Sequence, residues 1–494
     1  MKFPTLSKIC TAYPCEIIGS ADAEIEKLEY NSKKASPGTL FFCLPGARVD
    51  GHKFAPIAYE AGCRHFVVER ILPLPDDAVQ VKVAKSREAL AYMSAEFYDR
   101  PADRLQLIGI TGTKGKTTTS IMIKEALQMN GIHSAYIGSN GVIIGDDHYA
   151  TANTTPESRD LHYYFSVMEK TGITHVVMEV SSQALNNYRT AGLKFDTAIY
   201  TNLSTDHIGP GEHNSFDDYR DAKRKLFTDY DAKNVIYNAD DQNHAYMIRD
   251  VDANLISYGT GSGADFSASH IQPYRDETTL GIEFDITHKG VTIASRLRSP
   301  GEFSAYNGLA AIAALSCCGI PTQKAVDALA KISIQGRFEI VEATPGITFI
   351  IDYAHNGFSL ENALSVLRRY DPKRLICVFG SVGGRTYGRR RELAEAASKY
   401  ADYSIITSDN PDYESPESVI DDILKYFDKS KIYTTVPDRE EAVRLAVRIA
   451  SEGDIILFAG KGHETYQLVC GEKLPFSERA IILDEALALK MAIK

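Results

Sequence analysis

The stretch LQLIGITGTKGKTTTSIMIKEALQMNG, Leu105 to Gly131, sets the fold class. Leu105 to Thr111 is an apolar run of the kind that forms a strand covered on both faces. A Gly/Thr/Lys loop follows. Beyond it Ile121, Ile123, Leu127 and Met129 can pack one side of a helix, with Gly131 as its C-terminal stop. Strand, glycine loop and helix in this order make a phosphate cradle. Gly112 and Gly115 permit tight turns that aim N–H groups at phosphate oxygens, with Thr113, Lys114 and Thr118 completing the loop. Lys116 can place an ammonium on the outer phosphates, Thr117 can offer its hydroxyl to Mg²⁺, and the helix adds the positive end of its dipole. Ile110 stands where the strict G-x-x-x-x-G-K-[ST] pattern has its first glycine, so a plain glycine turn is the competing reading. No N-K-x-D segment follows to read guanine, which argues against a GTPase; a simple kinase stays open on the loop alone.

Working outward, strand-like runs recur as THVVMEV, TAIYTNL and NVIYNAD, and again later as TFIIDYA, RLICVFG, YSIITSD and DIILFAG. Ile/Val-rich strands alternating with helical patterns indicate parallel α/β sheets. The two series divide near KISIQGRFEI, and an earlier mixed region ends near Pro101 in YDRPADR. The expectation is α/β throughout: a smaller N-terminal domain over 1–98, a central P-loop-type domain over 99–333, and a C-terminal Rossmann-like domain over 334–494. Polar groups fall just past these strands: Thr111–Thr117, Glu179, Asp206–His207, Asp352–His355, Asp409–Asn410 and Lys461–Glu464. Ligands of open α/β sheets bind outside the carboxyl ends of strands, so these segments would line clefts.

A chain of 494 residues exceeds one core. Its formal charge of −11 argues against non-specific nucleic-acid binding, which needs a basic surface. The N-terminus MKFPTLSKICTAYP lacks the apolar core of a secretory signal, and GLAAIAALSCCGI is too short to span a bilayer. The eight cysteines show no paired zinc-type spacing and read as reduced, mostly buried thiols of a cytoplasmic protein.

GITGTKGKTT, followed in order by NTTPE, MEVSSQAL, TNLSTDH, QGRFEI, DYAH, SDNP and GKGHETYQ, resembles the Mur ligase family across nearly the whole chain. Within it the pattern is most similar to members that add the third peptide residue to UDP-N-acetylmuramoyl-L-alanyl-D-glutamate, the MurE type. The resemblance implies three domains, for the UDP end, for ATP and for the incoming amino acid. It also implies a reaction in which ATP converts a carboxylate to an acyl phosphate that an amine attacks. Such chemistry needs cations, positioning and water exclusion rather than a nucleophilic Ser or Cys.

Carried over by motif, Lys116 would hold the β/γ-phosphates, and Thr117, Glu179, His207 and a carbamylated Lys223 would surround Mg²⁺. From the residues alone Lys223, in YRDAKRKLF, is one of three closely spaced basic residues on a helix, most simply a solvated face. Its assignment crosses an irregular HIGPGEHNSFDDY loop that looks longer than usual by about two residues. Asn307, Arg337, Asp352 and His355 would meet ATP, while Ser304 replaces a family asparagine. Thr154, Thr155, Ser181, Asn187 and Arg189 would hold the muramyl dipeptide; Ser32, in YNSKKASPGTLFF, and the GARVDGH segment would meet the UDP end. Arg189 suits fork-like recognition of a carboxylate or phosphate.

For the incoming amino acid the resemblance implies Arg385, Asp409, Asn410, Asp412, Gly460 and Glu464. Family members that add meso-diaminopimelate read D-N-P-R, whose arginine takes the distal carboxylate; this chain reads D-N-P-D. Asp412 would repel that carboxylate and, with Glu464, suit a side-chain ammonium, so L-lysine or a similar diamino acid is expected. Asp412 as a helix N-terminal acid without substrate contact is the bland alternative. Two other functions compete: a Mur-fold ligase acting on another acceptor, and a non-catalytic paralogue that binds nucleotide or muramyl peptide. The expected partners are the small-molecule substrates UDP-MurNAc dipeptide, a diamino acid and ATP, with no nucleic acid and no membrane insertion.

Overall fold

The computed structural model describes residues 3–46, 49–205, 208–209, 212–261 and 263–492, the side chain of Ala492 excepted. They form two compact units, one of residues 1–266 with 310–321 and one of residues 267–309 with 322–494.

The first unit opens with a five-stranded sheet in the order Cys15–Ile18, Val79–Val83, His65–Val68, Thr39–Phe42 and Lys27–Glu29. Only the first pairing is antiparallel. Side chains alternate across a strand, so Leu40 and Phe42 pack with Leu6, Ile9 and Leu90 on one face while Phe41 packs with Ala55, Ala58 and Phe66 on the other. Covering both faces is what allows the continuous apolar run Thr39–Phe42.

The same unit holds a larger sheet. Its parallel strands run in the order Asn254–Gly259, Asn234–Asn238, Thr197–Tyr200, Gln106–Thr111, His175–Glu179 and Ser134–Gly138. Gly141–Ile144 and Asp147–Tyr149 continue it antiparallel. The strand that ends in the glycine loop is therefore central, with Glu179 opposite Ile110 on one side and Tyr200 opposite Thr111 on the other. That register brings the ends of three strands to one edge, so polar groups far apart in sequence become neighbours. Tyr30 O–H donates to Asp160 Oδ2 at 2.6 Å and Arg159 Nε to the Leu28 carbonyl at 3.2 Å, tying the two sheets of this unit together.

The second unit is built on a six-stranded sheet ordered Glu339–Val341, Thr348–Asp352, Ile455–Ala459, Leu375–Ser381, Tyr403–Ser408 and Ile432–Thr435, with only the first pair antiparallel. One face packs on Leu360, Leu364, Leu393 and Ile420, the other on Val443, Val447 and Ile482. The last parallel strand to be made, Ile455–Ala459, inserts between the first two of the series. Connections on either side of it leave in opposite directions, which opens a crevice at the carboxyl ends. An antiparallel meander, Phe266–Arg275, Leu280–His288 and Val291–Leu297, was not foreseen in the sequence. Tyr370 O–H fastens it to the unit through the Gly281 carbonyl at 2.8 Å.

All eight cysteines are free thiols; Cys10, Cys43, Cys63 and Cys377 are buried, Cys470 is exposed and the rest are intermediate, so fewer are buried than expected. Among the described residues no helix is long and apolar enough to cross a membrane.

Candidate active site

The glycine loop has the geometry of a phosphate cradle. Gly112 sits at φ +147°, and a Cβ there would lie 1.9 Å from Thr201 Oγ1, so no other residue fits. Gly115, at φ +84°, immediately precedes the helix Lys116–Met129. The loop is pinned from behind. Asn202 accepts from Thr113 N–H at 2.8 Å and, through Oδ1, from Lys114 N–H at 3.0 Å, while Thr201 Oγ1 donates to the Lys114 carbonyl at 2.7 Å. Thr113 Oγ1 accepts from Ser204 N–H at 3.0 Å. Thr117 is buried; Thr118 is half-buried.

Two lysine ammoniums meet on one carbonyl of this loop. Lys116 Nζ donates to Gly112 O at 2.8 Å and to Thr113 O at 3.1 Å; Lys223 Nζ donates to Gly112 O at 2.9 Å. Lys223 lies on the helix Phe216–Thr228 and is 2% exposed, which overturns the solvated-face reading. Its ammonium also lies 4.6 Å from the Tyr219 ring centroid.

Glu179 ends the neighbouring strand and is 1% exposed. Tyr136 O–H donates to its Oε1 at 2.5 Å, Ser139 N–H to the same oxygen at 3.0 Å and Ser139 O–H to Oε2 at 3.3 Å. Neither Tyr136 nor Ser139 was picked out from sequence. Hydrogen bonds of this kind orient a carboxylate that ligates a metal. Mg²⁺ takes few protein oxygens and keeps others for phosphate and water, so Thr117 and Glu179 fit it. Lys223 as an ammonium does not fit as a ligand; as a carbamate it would. Asp206 and His207 lie outside the described residues, as do Ala47 and Arg48 of GARVDGH. Among the described residues no three His, Cys, Asp or Glu side chains gather as a metal site.

The muramyl-dipeptide candidates sit beside Glu179. Thr155 O–H donates to the Glu179 carbonyl at 2.8 Å and accepts from Ser181 N–H at 3.1 Å; Ser181 in turn caps the helix Ser182–Asn186, with Asn187 at its other end. The Thr154 and Ser139 hydroxyls are 3.2 Å apart. Arg189 does not present an open fork: its Nε pairs with Glu157 at 3.0 Å and its Nη1 donates to the Thr155 carbonyl at 3.0 Å. Ser32 begins a short turn, Ser32–Lys34, capped by Asn31.

In the second unit a polar cavity of about 120 Å³ opens at the carboxyl ends of the sheet. Tyr353, His355, Arg385, Arg389, Asp409 and Glu464 are among its lining residues, with Asn410 and Gly460. Lys461, 1% exposed, is the hub beneath it. Its Nζ donates to Asn410 Oδ1 at 2.7 Å and Glu464 Oε2 at 2.9 Å, and lies 3.4 Å from Asp409 Oδ1. Asn410 Nδ2 donates to the same Glu464 oxygen at 3.1 Å. Arg439, fully buried, donates to the Ser408 and Ala459 carbonyls at 3.0 and 2.8 Å and pairs with Glu478 at 2.7 Å, stapling the two strand ends that carry Asp409 and Gly460.

Asp352 accepts from Phe338 N–H at 2.8 Å, and burial raises its carboxyl above the usual range against the pull of Arg337. His355 Nδ1 donates to the Tyr353 carbonyl at 2.8 Å; burial lowers its pKa, keeping a neutral ring with Nε2 as acceptor. The Arg337 guanidinium lies 5.1 Å from the Tyr353 ring centroid. Asn307 is buried in the helix Phe303–Cys317, where Ser304 O–H donates to the Pro300 carbonyl at 3.0 Å.

Asp412 is not a lining residue of the cavity. Its Oδ1 accepts from Gly471 N–H at 2.8 Å, and its backbone bridges to Leu468 and Cys470 in the hairpin Tyr466–Val469/Glu472–Pro475. At φ +53° it occupies a conformation that Asp tolerates and most residues avoid. A turn-forming role explains this aspartate, and the expectation that it faces an ammonium falls.

Comparison with known proteins bears on the whole arrangement. Models of the Mur ligase family catalytic domain, the Mur ligase middle domain and the Mur ligase glutamate ligase domain match residues 24–98, 110–315 and 336–462. A protein of Geobacillus thermodenitrificans named UDP-N-acetylmuramoyl-L-alanyl-D-glutamate--2,6-diaminopimelate ligase is 40% identical over 93% of this chain and 94% of its own length. The chain belongs to the Mur ligase family. A Listeria monocytogenes protein of the same name is 37% identical over 97% of both chains. A solved ligase of that name superposes with a TM-score of 0.72 at 27% identity, covering 99% of this chain and 100% of the other. MurF from Acinetobacter baumannii, at 20% identity and a TM-score of 0.64 over 99% of this chain and 100% of its own, shares the fold. This Mur ligase is of the MurE type, with the three-domain α/β fold of the family.

Proposed function

We propose that this ligase couples ATP hydrolysis to addition of 2,6-diaminopimelate to UDP-N-acetylmuramoyl-L-alanyl-D-glutamate in peptidoglycan synthesis. The glycine loop is the observation that carries the ATP-dependent step: Gly112 admits no side chain and Lys116 Nζ sits on the Gly112 and Thr113 carbonyls at 2.8 and 3.1 Å, which sets backbone N–H groups and an ammonium where phosphoryl oxygens would bind. The D-glutamyl carboxylate attacks the γ-phosphorus and ADP leaves. The amine of the incoming amino acid then attacks the acyl carbon, and phosphate departs with one of the original carboxylate oxygens. Lys116 swings from the loop carbonyls to the β/γ-phosphates. Thr117, Glu179 and Lys223 as its carbamate would hold Mg²⁺, which would supply charge neutralisation at the phosphates. Asn307, Arg337, Asp352 and His355 serve the nucleotide; Thr154, Thr155, Ser181, Asn187 and Ser32 serve the UDP-muramyl dipeptide. Arg189 serves it through Glu157 and Thr155. The working division is 1–98, 99–333 and 334–494, and the substrates place the reaction in the cytoplasm.

The L-lysine preference is corrected. It rested on Asp412, which is occupied by Gly471 N–H. Relatives 36–40% identical are named for 2,6-diaminopimelate, and a cavity lined by two arginines with Asp409 and Glu464 suits a zwitterion with two carboxylates and two amines. The test is phosphate release with the nucleotide dipeptide, ATP and a panel of amino acids. Release that requires both co-substrates and is best with meso-diaminopimelate supports the reading. ATP or muramyl-peptide binding without turnover would replace it with a regulatory role, and turnover only with an unrelated acceptor would replace the substrate.

A further inference from the structure

We infer that Arg389 is the specificity residue for the distal carboxylate of the incoming amino acid, a role that rests on the diaminopimelate reading above. Four arginines crowd the segment Arg385–Arg391, and the structure separates them by use. Arg390 is 1% exposed and spent: Nη1 and Nη2 pair with Glu414 at 2.9 and 2.7 Å, Nη1 reaches Asp422 at 3.2 Å, and Nη2 donates to the Val382 carbonyl at 3.2 Å. Arg391 faces outward in an ion pair with Glu395 at 2.7 Å. Arg385 and Arg389 are the two that line the cavity, and among the described residues neither has an ion-pair partner.

Their placement is fixed by the loops. Gly383 N–H donates to the Asn410 carbonyl at 2.9 Å, and a Cβ on Gly383 would lie 1.9 Å from the Pro411 carbonyl oxygen, so the 381–386 loop lies tight against the 409–412 loop. Glu414 also accepts from Gly384 N–H at 2.7 Å. Arg389 then projects from the first turn of the helix Tyr387–Tyr400, next to His355, whose protonation its charge disfavours. The helix N-terminus adds a field favourable to an anion at the same spot. Asp409 and Glu464, each with one oxygen toward the Lys461 ammonium, line the same cavity and give it the acidic character that amino groups require. A guanidinium fork pairs with a carboxylate bidentately. With Asp412 committed to Gly471, the second cation needed for a dicarboxylic amino acid comes from the helix and not from the D-N-P-D turn.

L-lysine is diaminopimelate without the distal carboxylate, so it isolates the contact. Full-length wild-type, Arg389→Gln, Arg389→Lys and Arg385→Gln enzymes are compared in phosphate release with each amino acid, varying amino acid, ATP and nucleotide dipeptide separately. Arg389→Gln is expected to raise KM for meso-diaminopimelate by about 10- to 100-fold and to lower the diaminopimelate-to-lysine ratio of kcat/KM accordingly, with the KM for ATP held. Arg389→Lys keeps the charge without the fork and falls between. Arg385→Gln weakens both amino acids, because both carry the α-carboxylate. Equal losses for the two amino acids in Arg389→Gln, or no loss for either, overturns the inference while leaving diaminopimelate as the substrate. A wild-type enzyme that extends the dipeptide with lysine and not with diaminopimelate overturns the reading beneath it as well.

Discussion

Replacing Glu414 by alanine removes the anion that holds Arg390 and, with it, the brace of the loop bearing Arg385 and Arg389. Arg390 is 1% exposed and Glu414 18%, so the pair lies between two regimes. Exposed pairs are worth about 0–1 kcal/mol, whereas breaking a fully buried one costs about 3–5 kcal/mol because a charge is left stranded. Asp422 at 3.2 Å and the Val382 carbonyl remain to Arg390, which places the loss near 2 kcal/mol. For a unit of this size that is a fall in Tm of about 4–8 °C. The Gly384 N–H loses its acceptor in the same substitution, so KM for the amino acid should rise about tenfold while KM for ATP holds. Glu414→Gln, which keeps one acceptor without charge, should fall between. The pair also has a pH signature. Arg390 depresses the Glu414 carboxyl from 4.5 to about 2, so its contribution is present above pH 4.5 and is lost as pH falls through about 2. The Gln variant should lack that acid limb. Thermal melts and phosphate-release kinetics read both effects. A fall in Tm without a change in amino-acid KM would refute the link from clamp to site, and unchanged melting would refute the clamp itself.

Gly112→Ala should abolish ATP turnover, because its Cβ would overlap Thr201 Oγ1 in a backbone conformation alanine avoids; full activity in a well-folded variant would remove this loop from the mechanism. Lys223→Ala should abolish turnover with the melting profile nearly kept, and short carboxylates should restore part of it; full activity would show the wrong lysine was chosen. His162 is buried, and burial lowers its pKa to about 4, so the folded state resists a proton that the unfolded chain accepts. Stability should therefore drop as pH falls from 6.5 and level off below about 4, by up to about 3 kcal/mol, and His162→Phe should flatten that limb in denaturant titrations.

Four strands of each large sheet were legible because each is a short Ile/Val-rich run ending at a polar group, whereas flanking strands such as Ser134–Gly138, Asn254–Gly259 and Ile432–Thr435 lack such a run and were not read; the phosphate loop was legible because Gly112, Gly115 and Lys116 carry their reasons in the residue type. The antiparallel meander from Phe266 was missed although its middle strand alternates buried Leu280, Ile282, Phe284 and Ile286 with polar residues; the strands on either side of it are largely exposed and mix polar and apolar residues. Lys223 looked like one charge among three; only the helix's orientation toward the glycine loop distinguishes it from Arg224 and Lys225. Asp412 misled because a motif position was read as a contact, while the positive φ and the Gly471 hydrogen bond that explain an aspartate there exist only in three dimensions. Arg389 was hidden for the opposite reason. In an arginine-rich segment nothing in the sequence says which guanidinium is buried in a pair and which is left to a ligand.

Oxygen tracing reads the acyl-phosphate step itself. With the D-glutamyl side-chain carboxylate of the nucleotide dipeptide labelled with ¹⁸O, turnover with ATP and meso-diaminopimelate should deliver one labelled oxygen into the released phosphate and leave the other in the new amide. Phosphate free of label, with the lengthened peptide formed, would contradict activation of that carboxylate by ATP.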